Sequence, residues 1–242
     1  MRRKVCMSKG LLYNPYLKED FNKSIKRVSK LDIDGFEFLV GDARDLLKFK
    51  IKKSSIKILK DLDFNTVHAP FDLGGKEMLF SKNNATKKIL DKLYHIYDKI
   101  DAVNLNIHPQ QITNFKVFNI KDYQHSIENM EKYHGFKIKD YAKILKDNES
   151  FKLVLDTSHS SEEGTINNLF KRFRKDIIYS HLSASYFNHL HLPLHSLRLE
   201  YIKGLEIIKK GKFPIVLESQ IGAKDIDEYE KEISFVRKWL NS

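Results

Sequence analysis

Eight short runs rich in β-branched and aromatic residues punctuate the chain, and almost every one is followed by a longer segment with apolar residues at three-to-four spacing. That alternation marks parallel strands joined by crossover helices, because two strands running the same way need a connection long enough to return to the starting edge. The pattern predicts strands over 4–7, 35–40, 65–68, 103–108, 125–128, 152–156, 177–181 and 214–218. Helices are predicted over 18–31, 44–62, 83–100, 137–148, 165–175, 197–210 and 226–240. The last shows the period best, with Ile226, Tyr229, Ile233, Val236 and Leu240 on one face. Eight strands with interleaved helices in 242 residues fit a (β/α)8 TIM barrel, with a doubly wound open sheet as the alternative. Between the fourth and fifth strands, 109–124 has only weak helical periodicity, so that crossover helix is expected to be shortened or missing.

No Pro- or Gly-rich linker and no repeat interrupts this order, so 1–242 reads as one domain, near the upper size for a single core. A hydrophobic share of 41% excludes wholesale disorder. The lone cysteine, Cys6, cannot form an internal disulfide, and neither a run of about 20 apolar residues nor an apolar leader is present; a cytoplasmic location is the expectation. Lys and Arg number 43 against 32 Asp and Glu, a net charge of +11 that raises the local concentration of polyanions. Nucleic acid or another phosphate-bearing partner follows; helix surfaces laced with ion pairs are the competing account.

The informative residues sit where the predicted strands end. His68 closes FNTVHAP, His108 closes NLNIHPQ, Glu128 lies in SIENM, Asp156 and His159 in LVLDTSH, His181 opens HLSASY, and Glu218 closes PIVLESQ. In a barrel the C-terminal strand ends ring one mouth, so these side chains would converge although they are far apart in sequence. Each histidine alone reads as an ordinary hydrogen-bonded residue. Together, so many buried ionisable groups would be costly unless metal charge compensated them. Mixed imidazole and carboxylate donors suit zinc, manganese or iron better than calcium or magnesium; zinc is the expectation, with manganese or magnesium as alternatives.

The VHAP segment, His108–Pro109, Glu128–Asn129, Leu155–Asp156–Thr157 with His159, His181–Leu182 and Leu217–Glu218 resemble, in order, the motifs of the endonuclease IV and xylose isomerase-like TIM barrel superfamily, which includes AP endonuclease family 2. The resemblance covers most of the chain. It implies up to three divalent metal ions: one on His68, His108 and Glu128; a second on Glu128, Asp156, His181 and Glu218; a third on His159 and His191. At the third, the nuclease pattern has a carboxylate two residues before the second histidine, and here that place is His189. The following Leu192–Pro193–Leu194–His195–Ser196 departs from the family's glycine-containing turn, and His195 is a candidate substrate-binding residue. Phe71 stands where the nuclease family has an aromatic beside the DNA stack, with plain rim packing as the competing reading.

On this resemblance the chain is a metal-dependent phosphodiesterase that hydrolyses DNA at abasic sites by metal-bound hydroxide, with Glu128, Asp156 and Glu218 as catalytic carboxylates. The alternative is a sugar isomerase or epimerase, acting on a sugar or sugar phosphate, with one divalent metal on Glu128, Asp156, His181 and Glu218. A degenerate, non-catalytic binding barrel is the third reading. Lys9, Arg44, Lys76 and Lys82 fall near mouth loops and are candidates for phosphate contacts, with a solvated surface as the competing reading. Gly74–Gly75 reads as a rim turn, since neither a P-loop nor a dinucleotide fingerprint is present. Ser158, Ser160 and Ser161 read as neighbours of the donors, supporting them rather than acting as a hydrolase nucleophile.

Overall fold

The computed structural model describes residues 2–8, 20–160, 164–186, 189–221 and 226–242; Lys9, Ser161 and the start of the 18–31 helix lie outside them. Eight parallel strands close into a barrel: β1 (Val5–Ser8), β2 (Gly35–Leu39), β3 (Phe64–His68), β4 (Ala102–Ile107), β5 (His125–Glu128), β6 (Phe151–Asp156), β7 (Ile177–Leu182) and β10 (Ile215–Leu217). Each pairs with its sequence neighbours in the barrel, and β10 returns to β1 through Val5↔Ile215, Cys6↔Val216 and Met7↔Leu217. The open sheet is thereby excluded. Between β7 and β10 a small antiparallel pair, β8 (Ala184–Tyr186) and β9 (His189–Leu192), stands apart from the barrel.

Strand side chains alternate between two faces, so every second residue enters the barrel. Outward residues such as Met7, Phe36, Phe38, Val67, Leu105, Ile127, Leu153, Leu155 and Leu217 are fully buried beneath the helices. The inward set is layered. Cys6, Val154, Tyr179 and Val216 form a small apolar cluster of their own, backed by Phe64. A polar layer joins it: Asn104 Nδ2 donates to Ser126 Oγ (2.7 Å), Ser126 Oγ to Asn106 Oδ1 (3.1 Å), and Tyr179 Oη to Glu37 Oε2 (2.9 Å). Gly35 is required where β2 crosses its neighbours, because a Cβ there would collide with the Phe64 carbonyl oxygen and Cys6 Sγ.

The crossovers are helical where the period was strong: α4 (Asn84–Lys99), α6 (Ile138–Asp147), α7 (Thr165–Phe173) and α9 (Ile226–Leu240). In chain order the shorter helices are α1 (Phe21–Val28), α2 (Ala43–Lys48), α3 (Lys53–Lys60), α5 (Glu131–His134) and α8 (Leu199–Ile202). Asn83 caps α4 by accepting from Thr86 N at 2.8 Å, and Asp20 and Asp42 cap α1 and α2 in the same way.

Two helices differ from the sequence reading. The single helix over 44–62 is broken into α2 and α3 because Phe49 is extended and packs its ring against Phe21 and Phe38, at 5.2 and 5.5 Å between centroids. The Asn22 side chain then satisfies the exposed backbone, donating to Lys50 O and accepting from Lys52 N. The helix over 197–210 is one turn, α8, followed by a 3-10 run Lys203–Lys210. Between β4 and β5 only the 3-10 turns Pro109–Gln111 and Phe115–Phe118 occur, as the weak period there implied. No helix among the described residues is long and apolar enough to cross a membrane.

Candidate metal centre

Inward parity at the strand ends brings His68 of β3, His108 after β4, Glu128 of β5, Asp156 of β6, His181 of β7 and Glu218 after β10 to one mouth of the barrel. Glu128 is their hub. Its Oε1 faces His159 Nδ1 at 2.8 Å; its Oε2 faces Asn106 Nδ2 at 2.6 Å, His181 Nδ1 at 3.1 Å, His68 Nε2 at 3.4 Å and His108 Nε2 at 3.9 Å. His181 Nδ1 lies 3.4 Å from Glu218 Oε2 and 3.7 Å from Asp156 Oδ2.

Among the described residues, two groups of donor atoms are close enough to share a cation, His68–His108–Glu128 and Glu128–Asp156–His181–Glu218, with every ligand atom of a group within 4.8 Å of the others. The donor atoms are held ready. His68 donates from Nδ1 to Ala69 O at 2.7 Å, which turns Nε2 toward Glu128. Asp156 Oδ1 accepts from Ser158 N, His159 N and Ser158 Oγ, while Oδ2 makes no hydrogen bond though it is buried. Asn129 fixes the Asp156 backbone by accepting from its N at 2.6 Å and donating to its O at 3.0 Å. Asp156 Oδ2, buried without a hydrogen bond and 3.7 Å from His181 Nδ1, is an acceptor that a cation would satisfy. The residues therefore fit divalent metal.

Among the side chains alone, protons carry the positive charge. Burial opposes ionisation of His159, but Asp156, Glu128 and Glu218 overcome it and push its pKa up to about 10. His181 and His68 are likewise raised against the cost of burial, by Glu218, Glu37 and Glu128 in the first case and by Glu128 and Glu37 in the second. His108, where burial dominates, falls to about 3 and stays neutral. Glu218 is pushed up to about 8 by burial and by repulsion from Glu128 and Asp156, which outweigh the attraction of His181.

The structure does not bring the remaining predicted ligands in equally. His191, in the left-handed region at φ 53°, sits at the edge: its Nδ1 is 3.2 Å from Ser183 Oγ, 3.3 Å from Ser158 Oγ and 3.7 Å from Glu218 Oε2. His159 and His191 meet edge to face at 5.2 Å. His189 is exposed on β9 and belongs to neither donor group. His195 turns to α9 instead, with Nδ1 2.7 Å from Glu232 Oε2 and Nε2 3.3 Å from Glu228 Oε2. Phe71 is 45% exposed and its ring lies nearly parallel to that of His108, 6.1 Å between centroids. Arg44 is paired with Asp42 at 2.6 Å, and Lys76 and Lys82 are exposed. Sequence reasoning missed Glu37, a fully buried carboxylate 3.1 Å from His181 Nε2. Its signal was a charged residue between Phe36 and Phe38 in an otherwise apolar strand, at inward parity.

No family model and no curated protein matches the sequence. By structure the chain is similar to endonuclease IV from Thermus thermophilus, with 14% identity, a TM-score of 0.66 and coverage of 98% of this chain and 99% of that one. It is as similar to a 3-keto-D-glucoside 4-epimerase from E. coli, at 13% identity, TM-score 0.66 and the same coverage. The chain has the (β/α)8 barrel fold of these structures. A D-psicose 3-epimerase shares this fold too, at 15% identity and TM-score 0.59, over 98% of this chain and 97% of that one. Structures of this fold thus include both an endonuclease and sugar epimerases, and the fold does not choose between them.

Proposed function

We propose that the chain is a divalent-metal-dependent phosphodiesterase that cuts DNA at abasic sites, using two cations rather than three. The observation that carries this reading is the pair of donor groups joined at Glu128, one group more than a single-metal sugar enzyme needs. The net charge of +11 suits a polyanionic substrate. Bound zinc, or manganese or magnesium in its place, would supply charge neutralisation on the phosphate oxygens and acidify water. His68, His108 and Glu128 would hold one cation; Glu128, Asp156, His181 and Glu218 the other.

The chain's own residues do the rest. Glu128 spans both groups and fixes their separation. Glu218 is the most accessible of the three carboxylates, with its side chain 12% exposed against 1% for Glu128 and none for Asp156, so it is placed to take the proton of an attacking water. Phe71 offers an exposed apolar face beside His108 against which an unstacked sugar or base would rest. A third cation on His159, His189 and His191 is not part of the proposal, because His189 points to solvent and His191 Nδ1 is engaged with two serine hydroxyls.

One observation favours the second reading, a single-metal sugar epimerase. Glu128 and Glu218 both approach His181 Nδ1, within 3.4 Å, and so flank one small site from β5 and from the end of β10 as a pair of proton carriers would. The deciding experiment is incision of a duplex containing one abasic site by protein loaded in turn with zinc, manganese and magnesium, beside Glu128→Ala. Cutting by wild type and loss in the variant are expected. No cutting with any of the metals, together with deuterium exchange at C3 of a ketose, would replace the first reading by the second.

A further inference from the structure

Glu37 has no place in either donor group, yet it is as buried as any residue in them. It sits midway along β2, under the cluster, and three side chains of the inner wall converge on it: Thr66 Oγ1 of β3 at 3.1 Å, Tyr179 Oη of β7 at 2.9 Å and His181 Nε2 at 3.1 Å. Tyr179 Oη in turn receives Asn104 Nδ2 at 3.4 Å, so the carboxylate is clamped by hydroxyls that themselves cannot move freely. The two hydroxyls would be accepted equally well by a neutral amide oxygen. The imidazole contact is different, because an ionised carboxylate is acceptor-only and requires that Nε2 carry the hydrogen.

With the proton fixed on Nε2, the lone pair of the neutral ring is on Nδ1, and that atom faces Glu128, Glu218 and Asp156 at 3.1, 3.4 and 3.7 Å. We infer that Glu37 is a positioning residue, which holds His181 in the tautomer and orientation that present Nδ1 to the cation of the four-donor group. The inference rests on that group being a metal site, whatever the substrate. A carboxylate behind a ligating imidazole also raises its basicity and tightens the metal.

The test compares the full-length wild type, Glu37→Gln and Tyr179→Phe by zinc titration against a chromophoric chelator, with cobalt absorption to report each site. Glu37→Gln is expected to weaken one of the two equivalents by about 10- to 100-fold and to leave the other unchanged. Tyr179→Phe removes a bond to the same carboxylate but keeps the imidazole contact, so both affinities stay near wild type. Nitrogen-15 spectra of zinc-loaded wild type are expected to show His181 protonated on Nε2, a result that stands even if Glu37→Gln fails to fold. Equal binding of both equivalents by Glu37→Gln, an equal loss in Tyr179→Phe, or a proton on Nδ1 of the loaded protein would overturn the inference. If wild type binds no zinc, the metal reading falls with it; if wild type binds zinc but cuts no abasic DNA, only the activity falls and the Glu37 comparison is read unchanged.

Discussion

Removing metal should make the stability of this chain fall as pH rises above neutrality. His159 drives the effect: its pKa in the folded chain is pushed up to about 10 from an ordinary 6.5, by Asp156, Glu128 and Glu218 against the cost of burial. A raised imidazole pKa means that the folded chain holds a proton the unfolded chain gives up, so its contribution is complete below pH 6.5 and is lost on the way to pH 10. At 1.36 kcal/mol per pH unit the rise is worth at most about 5 kcal/mol, and sharing of Glu128 among three histidines lowers it. Glu218 adds a slope of the same sign from its ordinary 4.5 up to about 8, since it too keeps a proton in the fold that it loses outside. For a chain of this length each kcal/mol moves the midpoint by roughly 2–4 °C, so a drop of about 10 °C between pH 6.5 and 9.5 is expected in chelator. Saturating zinc should flatten or reverse the trend, because ligation requires neutral imidazole and its affinity grows as protons leave. Thermal melts at closely spaced pH with and without metal make the measurement, and His159→Gln should reduce the slope in chelator. A melting temperature that is level or rising over that range in chelator would refute the charge balance described here.

Three further outcomes bear on other parts of the molecule. Wild type and His189→Ala should both hold about two equivalents of zinc by elemental analysis, since the His189 ring is exposed and in neither donor group; three equivalents in wild type falling to two in the variant would restore a third site. Phe71→Ala should alter stability by less than about 1 kcal/mol, given its exposed ring, yet raise KM or lower kcat on abasic duplex measured by gel incision. Gly35→Ala should cost about 3 kcal/mol or more in urea unfolding, because the added Cβ meets the backbone oxygen of Phe64 rather than a side chain that can turn aside.

Strands were the most legible part of the sequence, because their runs are short and apolar, and the six strands β3 to β7 and β10 have a histidine or acid at the mouth, within one residue of the strand's end. The position of those residues at strand ends showed that they would meet at one mouth of the barrel, while their division into donor groups came from the resemblance to the superfamily's motifs. Where long-range partners decide, the sequence is silent. Nothing within 44–62 announces that Asn22 will take over the backbone at Lys50 and Lys52, or that Phe49 will leave the helix for Phe21 and Phe38. His189 and His191 share a motif and two residues of spacing, but the turn of β9 sends one ring to solvent and the other toward Ser158 and Ser183. Glu37 was hidden for a similar reason: its meaning depends on His181, 144 residues away.

Each donor in the cluster is delivered by a separate strand, and the residues just before the donors on four of those strands are Ile127, Leu155, Ser180 and Leu217. Insertions in the crossovers on the far side would leave this arrangement untouched. A single residue inserted within a strand would rotate its donor outward and bring a neighbour in, an aliphatic one on three of the four. Such a barrel tolerates change in its far-side loops, while the length of each donor-bearing stave is held by the chemistry at its rim.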